Sequence, residues 1–482
     1  MTDVVVVGLG PAGIVATTVL ANAGYSVTAI ASTGTTHGRC PIVSPAPTVR
    51  RHCDEVAVPA DHPQQGADAV GGSKLLAAPQ SYRLDPWTFR ARSSSLARYG
   101  AASLPPDTAM IDWPVSAGEL EEYYRRVERA MDVTVRPTAG WTRRMFSAAD
   151  KLGWAPFTAP AAASVDCSEL LDRARTHAGN RVEILTGAAA LGVDTDSSGS
   201  VSGIQYLRDG AVHRLSTQAV VLAASVVSNV RLLLLSGLTA RGQVGRYFMA
   251  HNCFVANGVF PGQDLARDTA GAATATAISS FENDNFDHTG LGFLGGSILQ
   301  SAMTGLRTDG WRAAVAAGLP NSISGTTLAT DWVRKHQHSI GTVWAQPDQL
   351  PRFENRIDLD PTHVDAIGRP VPRLTLDLAE DDHRRAAFLS THMQTWLRTA
   401  GASATWATPI VAQPLGTHLY GGTRMGVDPA TSVVDQFGNC HDVPGLIVVG
   451  SSTFPGTGGR GPVQTIEALA WRSAERLAED LR

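Results

Sequence analysis

Two glycine-rich runs near the ends of the chain hold the residue types that could do chemistry. Val4-Val5-Val6-Val7-Gly8-Leu9-Gly10-Pro11-Ala12-Gly13 has the GxGxxG spacing of a loop that receives a dinucleotide pyrophosphate. In such a loop Gly8 gives the tight turn, and Gly10 lets the backbone approach the phosphates with no Cβ in the way. Gly13 lets the following helix pack closely, and Pro11 and Ala12 open that helix beneath the phosphates. The second run, His418-Leu419-Tyr420-Gly421-Gly422-Thr423-Arg424-Met425-Gly426, sets one histidine beside a flexible polar loop. Imidazole titrates near neutral pH, so a histidine in a cleft is suited to accept a proton. A dinucleotide site opening the chain and a histidine closing it imply a flavin enzyme folded from both ends.

The elements that must position these residues can be read locally. Four consecutive valines suit a parallel strand buried on both faces, where no alternation is expected. Ala12 to Ala23 is small and apolar and reads as a helix, with Gly24 as its stop. Ser26 to Ser32 then reads as the second strand. A dinucleotide fingerprint calls for an Asp or Glu about twenty residues on, at the end of that strand. Here the position is Ala31, and no carboxylate lies between Asp3 and Asp54. A hydroxyl from Ser32 or Thr33 is expected to serve the ribose instead, by a weaker neutral hydrogen bond.

Composition bounds the function class. A chain of 482 residues is long for one core, so two closely joined domains are expected. With 43% apolar and 17% charged residues and a formal charge of −4, it carries no basic footprint for nucleic acid or anionic membrane. Five scattered cysteines without a CxxC fit a reduced interior. With a strand beginning at Val4 and no long apolar run, the expectation is a soluble, cytoplasmic enzyme without a signal peptide or membrane span. No HExxH, paired CxxC or acidic loop calls for a metal. Glu380-Asp381-Asp382 reads as the charged first turn of a surface helix spanning His383 to Arg398. Asp264 to Thr289 reads as a surface loop, or alternatively as a lid.

Further blocks resemble the glucose–methanol–choline (GMC) flavin oxidoreductases, in family order across almost the whole chain. Val70-Gly71-Gly72-Ser73 is similar to the family's second flavin-contacting loop, and Trp113-Pro114-Val115-Ser116 with Glu119-Leu120 and Tyr123-Tyr124 to its WPxSxxELxxYY signature. Val220 to Ala224 with Leu232 to Gly237, Gly245 to His251, and Glu354 to Gly368 match further blocks, as does nearly everything after His418. The spelling is closest to pyranose-oxidase-like and gluconate-dehydrogenase-like members. The implied fold is α/β: a Rossmann-type FAD-binding domain with a discontinuous α+β substrate-binding domain built on an antiparallel sheet. The expected division is 1–106, 165–250 and 411–482 for the FAD-binding domain, and 107–164 and 251–410 for the substrate-binding domain.

The resemblance implies non-covalent FAD, held by Gly8, Gly10, Pro11, Ala12, Gly13, Ser32, Gly71, Gly72, Ser73, Ser451, Ser452, Gly461 and Pro462. The histidine that some members link to flavin has no counterpart in Ser73 to Ala77. It implies oxidation of a CH–OH group of a sugar, polyol or glycosylated secondary metabolite, with hydride passing to flavin N5, His418 as base, and oxygen or another acceptor reoxidising the flavin. The family pairs this histidine with a second His or Asn, and here that slot is Gly461, which has no side chain. Arg460 and Gln464 are the nearest candidates to orient the substrate oxygen. His251 is expected to support the domain junction rather than react. The departures at Gly461 and Ala31 leave two alternatives open: a GMC-fold enzyme retooled for a non-oxidative cyclisation, elimination or lyase step, and a flavin-free binding or scaffold protein.

Overall fold

The computed structural model describes residues 2–32, 48–51, 54–57, 80–138, 140–162, 167–265, 275–304, 336 and 338–482. Strand β1 (Val4–Val7) lies at the centre of a five-stranded parallel sheet and is buried along its whole length, as four valines in a row require. It pairs on one side with β2 (Val27–Ile30), which pairs in turn with β3 (Val182–Leu185). On its other side lies β4 (Ala219–Leu222), followed by β5 (Leu446–Val448). The chain therefore leaves β1 in one direction and returns on its opposite side. That reversal opens a crevice at the strands' carboxyl ends, where such sheets bind ligands. Helix α1 (Pro11–Asn22) and the terminal helix Val463–Asp480 pack against each other in the same core.

A second sheet of six antiparallel strands lies in the order Ala404–Ala407, Phe254–Val259, Ile340–Ala345, Leu299–Thr304, Thr276–Ile278, Pro156–Thr158. One face is apolar: Phe254, Ala256, Val343, Ala345, Leu299 and Ile278 share a core with Leu389, Met393 and Trp396 of helix Glu380–Thr399. The other face presents Asn257, Thr342, Trp344 and Gln300, which cross-strand pairing sets side by side. A mixed α/β fold whose two largest sheets are one parallel and one antiparallel agrees with the class expected from the sequence.

The helix Ala117–Ala130 explains the WPxSxxEL run in physical terms. Ser116 Oγ accepts from the Glu119 amide at 3.3 Å, and the Glu119 carboxylate accepts from the Ser116 amide at 2.8 Å, a reciprocal capping box. The helix buries Leu120, Tyr124 and Val127 with the parallel-sheet core, and Tyr124 Oη meets Thr465 Oγ1 of the terminal helix at 2.8 Å.

Two expectations need correction. Asp381 and Asp382 do not face solvent: both are buried, where Arg385 and Arg352 pair with them. Of the stretch read as a loop or lid, residues 275–289 are built into the protein, with Thr276–Ile278 a strand and Phe281, Glu282 and Asn283 buried; residues 266–274 lie outside the described residues.

Candidate active site

The crevice above β1 has the features of a dinucleotide cradle. Gly8 has φ +98°, and a Cβ there would lie 2.5 Å from the Ala223 carbonyl oxygen. A Cβ on Gly13 would lie 1.9 Å from the Gly8 oxygen, so strand and helix close up only with glycine at both places. Gly10 is different: its Cβ would project into open space, with nothing within 4 Å. Gly10 is also the N-cap of α1 and supplies no side-chain cap, which leaves first-turn donors for an anion. Ala12 is buried beneath this turn, with its Cβ 4.0 Å from the Cβ position of Gly450 just after β5. These residues fit a pyrophosphate.

Ala31 stands at the end of β2, its amide bonded to Leu185 and its carbonyl to Ala188, with the partly exposed Ser32 next. Gly71, Gly72 and Ser73 lie outside the described residues.

The histidine loop is fixed to the end of β5 by backbone pairing. Ser451, Ser452 and Thr453 form a short 3-10 turn whose carbonyls accept from Gly421, Thr423 and Met425 at 3.1, 3.0 and 2.7 Å. Ser452 Oγ accepts from Asn229 Nδ2 at 3.1 Å. On the loop's other side, Leu419 and Tyr420 pair antiparallel with Ala250 and Met249. Continuing that register sets His251 opposite His418, and the His251 amide donates to the His418 carbonyl at 2.9 Å.

The two imidazoles meet, and the contact to Gly458 fixes one of their protons. His251 Nε2 is 2.7 Å from the Gly458 carbonyl, which can only accept, so that nitrogen carries hydrogen. Burial, with the neighbouring His418 adding to it, pushes the His251 pKa down to about 3, so the ring is neutral and its Nδ1 is an acceptor. That acceptor faces two groups, the Tyr420 hydroxyl at 3.1 Å and His418 Nδ1 at 3.2 Å. His418 is also neutral, its pKa lowered by burial to about 4. With hydrogen on Nδ1 facing His251, its Nε2 would hold the lone pair that a base requires. One consequence concerns pH. The base form exists above the pKa, and the pKa is lowered, so the acid limb of kcat/KM should fall near pH 4 and the profile should stay flat through 6.5. A profile of the alcohol half-reaction with its acid limb at 6.5 or above would contradict this arrangement.

Gly461 lies beside the histidine. A Cβ built on it is 3.9 Å from His418 Cε1, Gln346 Oε1 and Tyr82 Cδ2. Pro462, next along, caps the terminal helix without a side-chain hydrogen bond. The two candidates for orienting the substrate oxygen are engaged elsewhere, which corrects that expectation. Arg460 donates to both Glu282 oxygens, at 2.5 and 2.7 Å, and to the Arg83 carbonyl at 3.1 Å. Buried Glu282 neutralises its charge. Gln464 accepts from Ser81 at 3.2 Å and donates to Glu128 at 2.7 Å, on the buried face of the terminal helix.

The sequence reading missed Gln346. It follows the strand Ile340–Ala345, is 2% exposed, and its Nε2 is 3.3 Å from His418 Nδ1. Tyr82 is a second omission: its hydroxyl donates to Gln300 Oε1 at 2.7 Å, joining the polar sheet face to the histidine's surroundings. Among the described residues, no group of three or more His, Cys, Asp or Glu is placed to hold a metal, and no helix is long and apolar enough to cross a membrane.

The GMC oxidoreductase family model matches residues 351–470, which include the histidine loop and Gly461. Over that segment the chain is similar to the GMC oxidoreductases. It is 27% identical to the gluconate 2-dehydrogenase flavoprotein of Pantoea cypripedii, over 90% of this chain and 83% of that protein. It is 28% identical to the 2-methyl-1,2-propanediol dehydrogenase of Mycolicibacterium austroafricanum, over 99% and 95%. The fold is shared with pyridoxine 4-oxidase from Mesorbium loti, with a TM-score of 0.64, 14% identity and 99% of each chain covered. The relatives are named as a flavoprotein dehydrogenase and a diol dehydrogenase.

Proposed function

We propose that this chain is a GMC oxidoreductase that binds FAD non-covalently and oxidises a CH–OH group of a sugar or polyol, with His418 Nε2 taking the hydroxyl proton. The observation that carries this reading is the chain from the Gly458 carbonyl through His251 to His418, which supports a neutral, oriented base with its lone pair free. FAD, when bound, supplies a hydride acceptor at N5. Gly8 to Gly13 with the start of α1 would hold its pyrophosphate, Ser32 its ribose, and the Ser451–Ser452 turn with Gly461 and Pro462 its other half. Oxygen or a second acceptor would complete the cycle. The parallel-sheet core would form the FAD domain and the six-stranded sheet the substrate domain. The free thiols of Cys253 and Cys440 support a reduced, cytoplasmic setting.

The polar sheet face supports the substrate class. Asn257 Nδ2, Gln300 Nε2 and Trp344 Nε1 are buried donors without a protein partner. Each unmet buried donor costs about 1–3 kcal/mol, so a row of three favours a ligand rich in acceptors, as a polyhydroxylated molecule is. The relatives named for gluconate and a propanediol are consistent with that choice. The first test is the visible spectrum of the purified protein before and after denaturation. A flavin band released as free FAD is the expected result. A colourless protein that takes up no added FAD would overturn the reading and leave a binding protein.

A further inference from the structure

We infer that Gln346 does the work of the side chain missing at Gly461, its carboxamide bridging His418 and the substrate oxygen. The inference rests on the alcohol-oxidation reading above. The carboxamide is buried, its Nε2 faces His418 Nδ1 at 3.3 Å, and its Oε1 has no partner. In the tautomer that makes His418 Nε2 the base, Nδ1 carries hydrogen and faces His251 Nδ1 at 3.2 Å. Two donors facing each other while a buried acceptor goes unmet is unfavourable on both counts. A half-turn of the carboxamide exchanges its oxygen and nitrogen and removes the conflict. Oε1 then shares the His418 Nδ1 hydrogen with His251, and the NH₂ group takes the unpartnered place.

That place is 3.9 Å from where the Cβ of residue 461 would begin, and the same Cβ is 3.9 Å from His418 Cε1. A free amide donor thus stands in the space that an Asn at 461 would enter. An alcohol whose proton goes to His418 Nε2 leaves negative charge on its oxygen. The Gln346 N–H can donate to that oxygen as the charge develops. Gln346 is held for this by its own amide, which donates to Ser297 Oγ at 2.8 Å. The donor comes from the end of the antiparallel sheet rather than from the C-terminal loop, and the glycine at 461 makes room for it.

The inference predicts a dependence of sign between two positions. Gln346→Met keeps the volume and removes the donor; kcat should fall about 10²–10³-fold with KM and flavin content little changed, as for loss of one preorganised donor. Gly461→Asn alone should lower turnover, because two carboxamides would compete for one space. In a Gln346→Ala background the same Gly461→Asn change should raise turnover by tenfold or more, restoring a donor from the other side. Turnover is read as anaerobic flavin reduction by a polyol, with flavin content and melting temperature measured for each variant. Wild-type rates in Gln346→Met, or Gly461→Asn acting by the same factor in both backgrounds, would overturn the inference while leaving the parent reading intact. If Gln346→Ala does not fold, the comparison is made in the Gln346→Ser background, whose short side chain leaves the same space, with the same expected reversal. A wild-type protein whose flavin no alcohol reduces would overturn the parent reading and this inference together.

Discussion

His418→Ala should lower kcat by about 10²–10⁴-fold while the purified protein keeps its full complement of flavin. The size follows from what the imidazole supplies. Its Nδ1 faces His251, whose own Nε2 hydrogen is committed to the Gly458 carbonyl, so in the proposed tautomer the base form is present before substrate arrives. Alanine removes that acceptor and leaves the cradle at Gly8 to Gly13 untouched. His251 cannot stand in for it, because both its nitrogens are engaged and it is 2% exposed. Single-turnover anaerobic reduction isolates the chemical step from reoxidation. Wild-type rates in the variant would remove His418 from the role of base.

Gly10→Val and Gly13→Ala should fail in different ways, although both lie in one motif. The Cβ of residue 10 enters open space, and Gly10 has φ −78° and ψ −174°, which valine adopts without strain. Gly10→Val should therefore fold, melt where the flavin-stripped wild-type protein melts, and purify without flavin, because the side chain fills the space for the pyrophosphate. The Cβ of residue 13 would instead be driven to 1.9 Å from the Gly8 oxygen, which forces helix α1 off strand β1. Gly13→Ala should lower stability by roughly 1–3 kcal/mol or more, the usual cost of overpacking, and lose flavin as a consequence. Absorbance per protein and thermal melting separate the two. Full flavin content in Gly10→Val would mean that the open space above α1 is not the cofactor's.

What the sequence made legible was local. The valine run, the glycine spacing and the apolar helix after it lie within one βαβ unit, so neighbouring residues alone specify the turn and the helix start. Gly461 was legible as a site position because its flank resembles a family motif with a known slot. The pairing of His251 with His418 was not, because it depends on a two-residue strand contact across 167 positions. Arg460 looked free in its glycine-rich loop, yet its partner Glu282 is 178 residues away. Asp381 and Asp382 looked like a solvated face, since a charge run gives no sign that Arg352 and Arg385 will be folded over it. Gln346 carries no motif at all. Its role emerges only when a sheet end, a glycine gap and a histidine tautomer are seen together.

The most direct measurement of the central claim is anaerobic titration of the purified flavoprotein with a panel of sugars and polyols, following the flavin's visible absorption. The account predicts that at least one polyhydroxylated alcohol bleaches the bound flavin stoichiometrically, with the matching carbonyl product released, and that His418→Ala slows the bleaching without changing its extent. A flavin that stays oxidised with every alcohol, while the protein converts such a molecule to a product of unchanged oxidation state, would contradict it and assign the fold to non-redox chemistry.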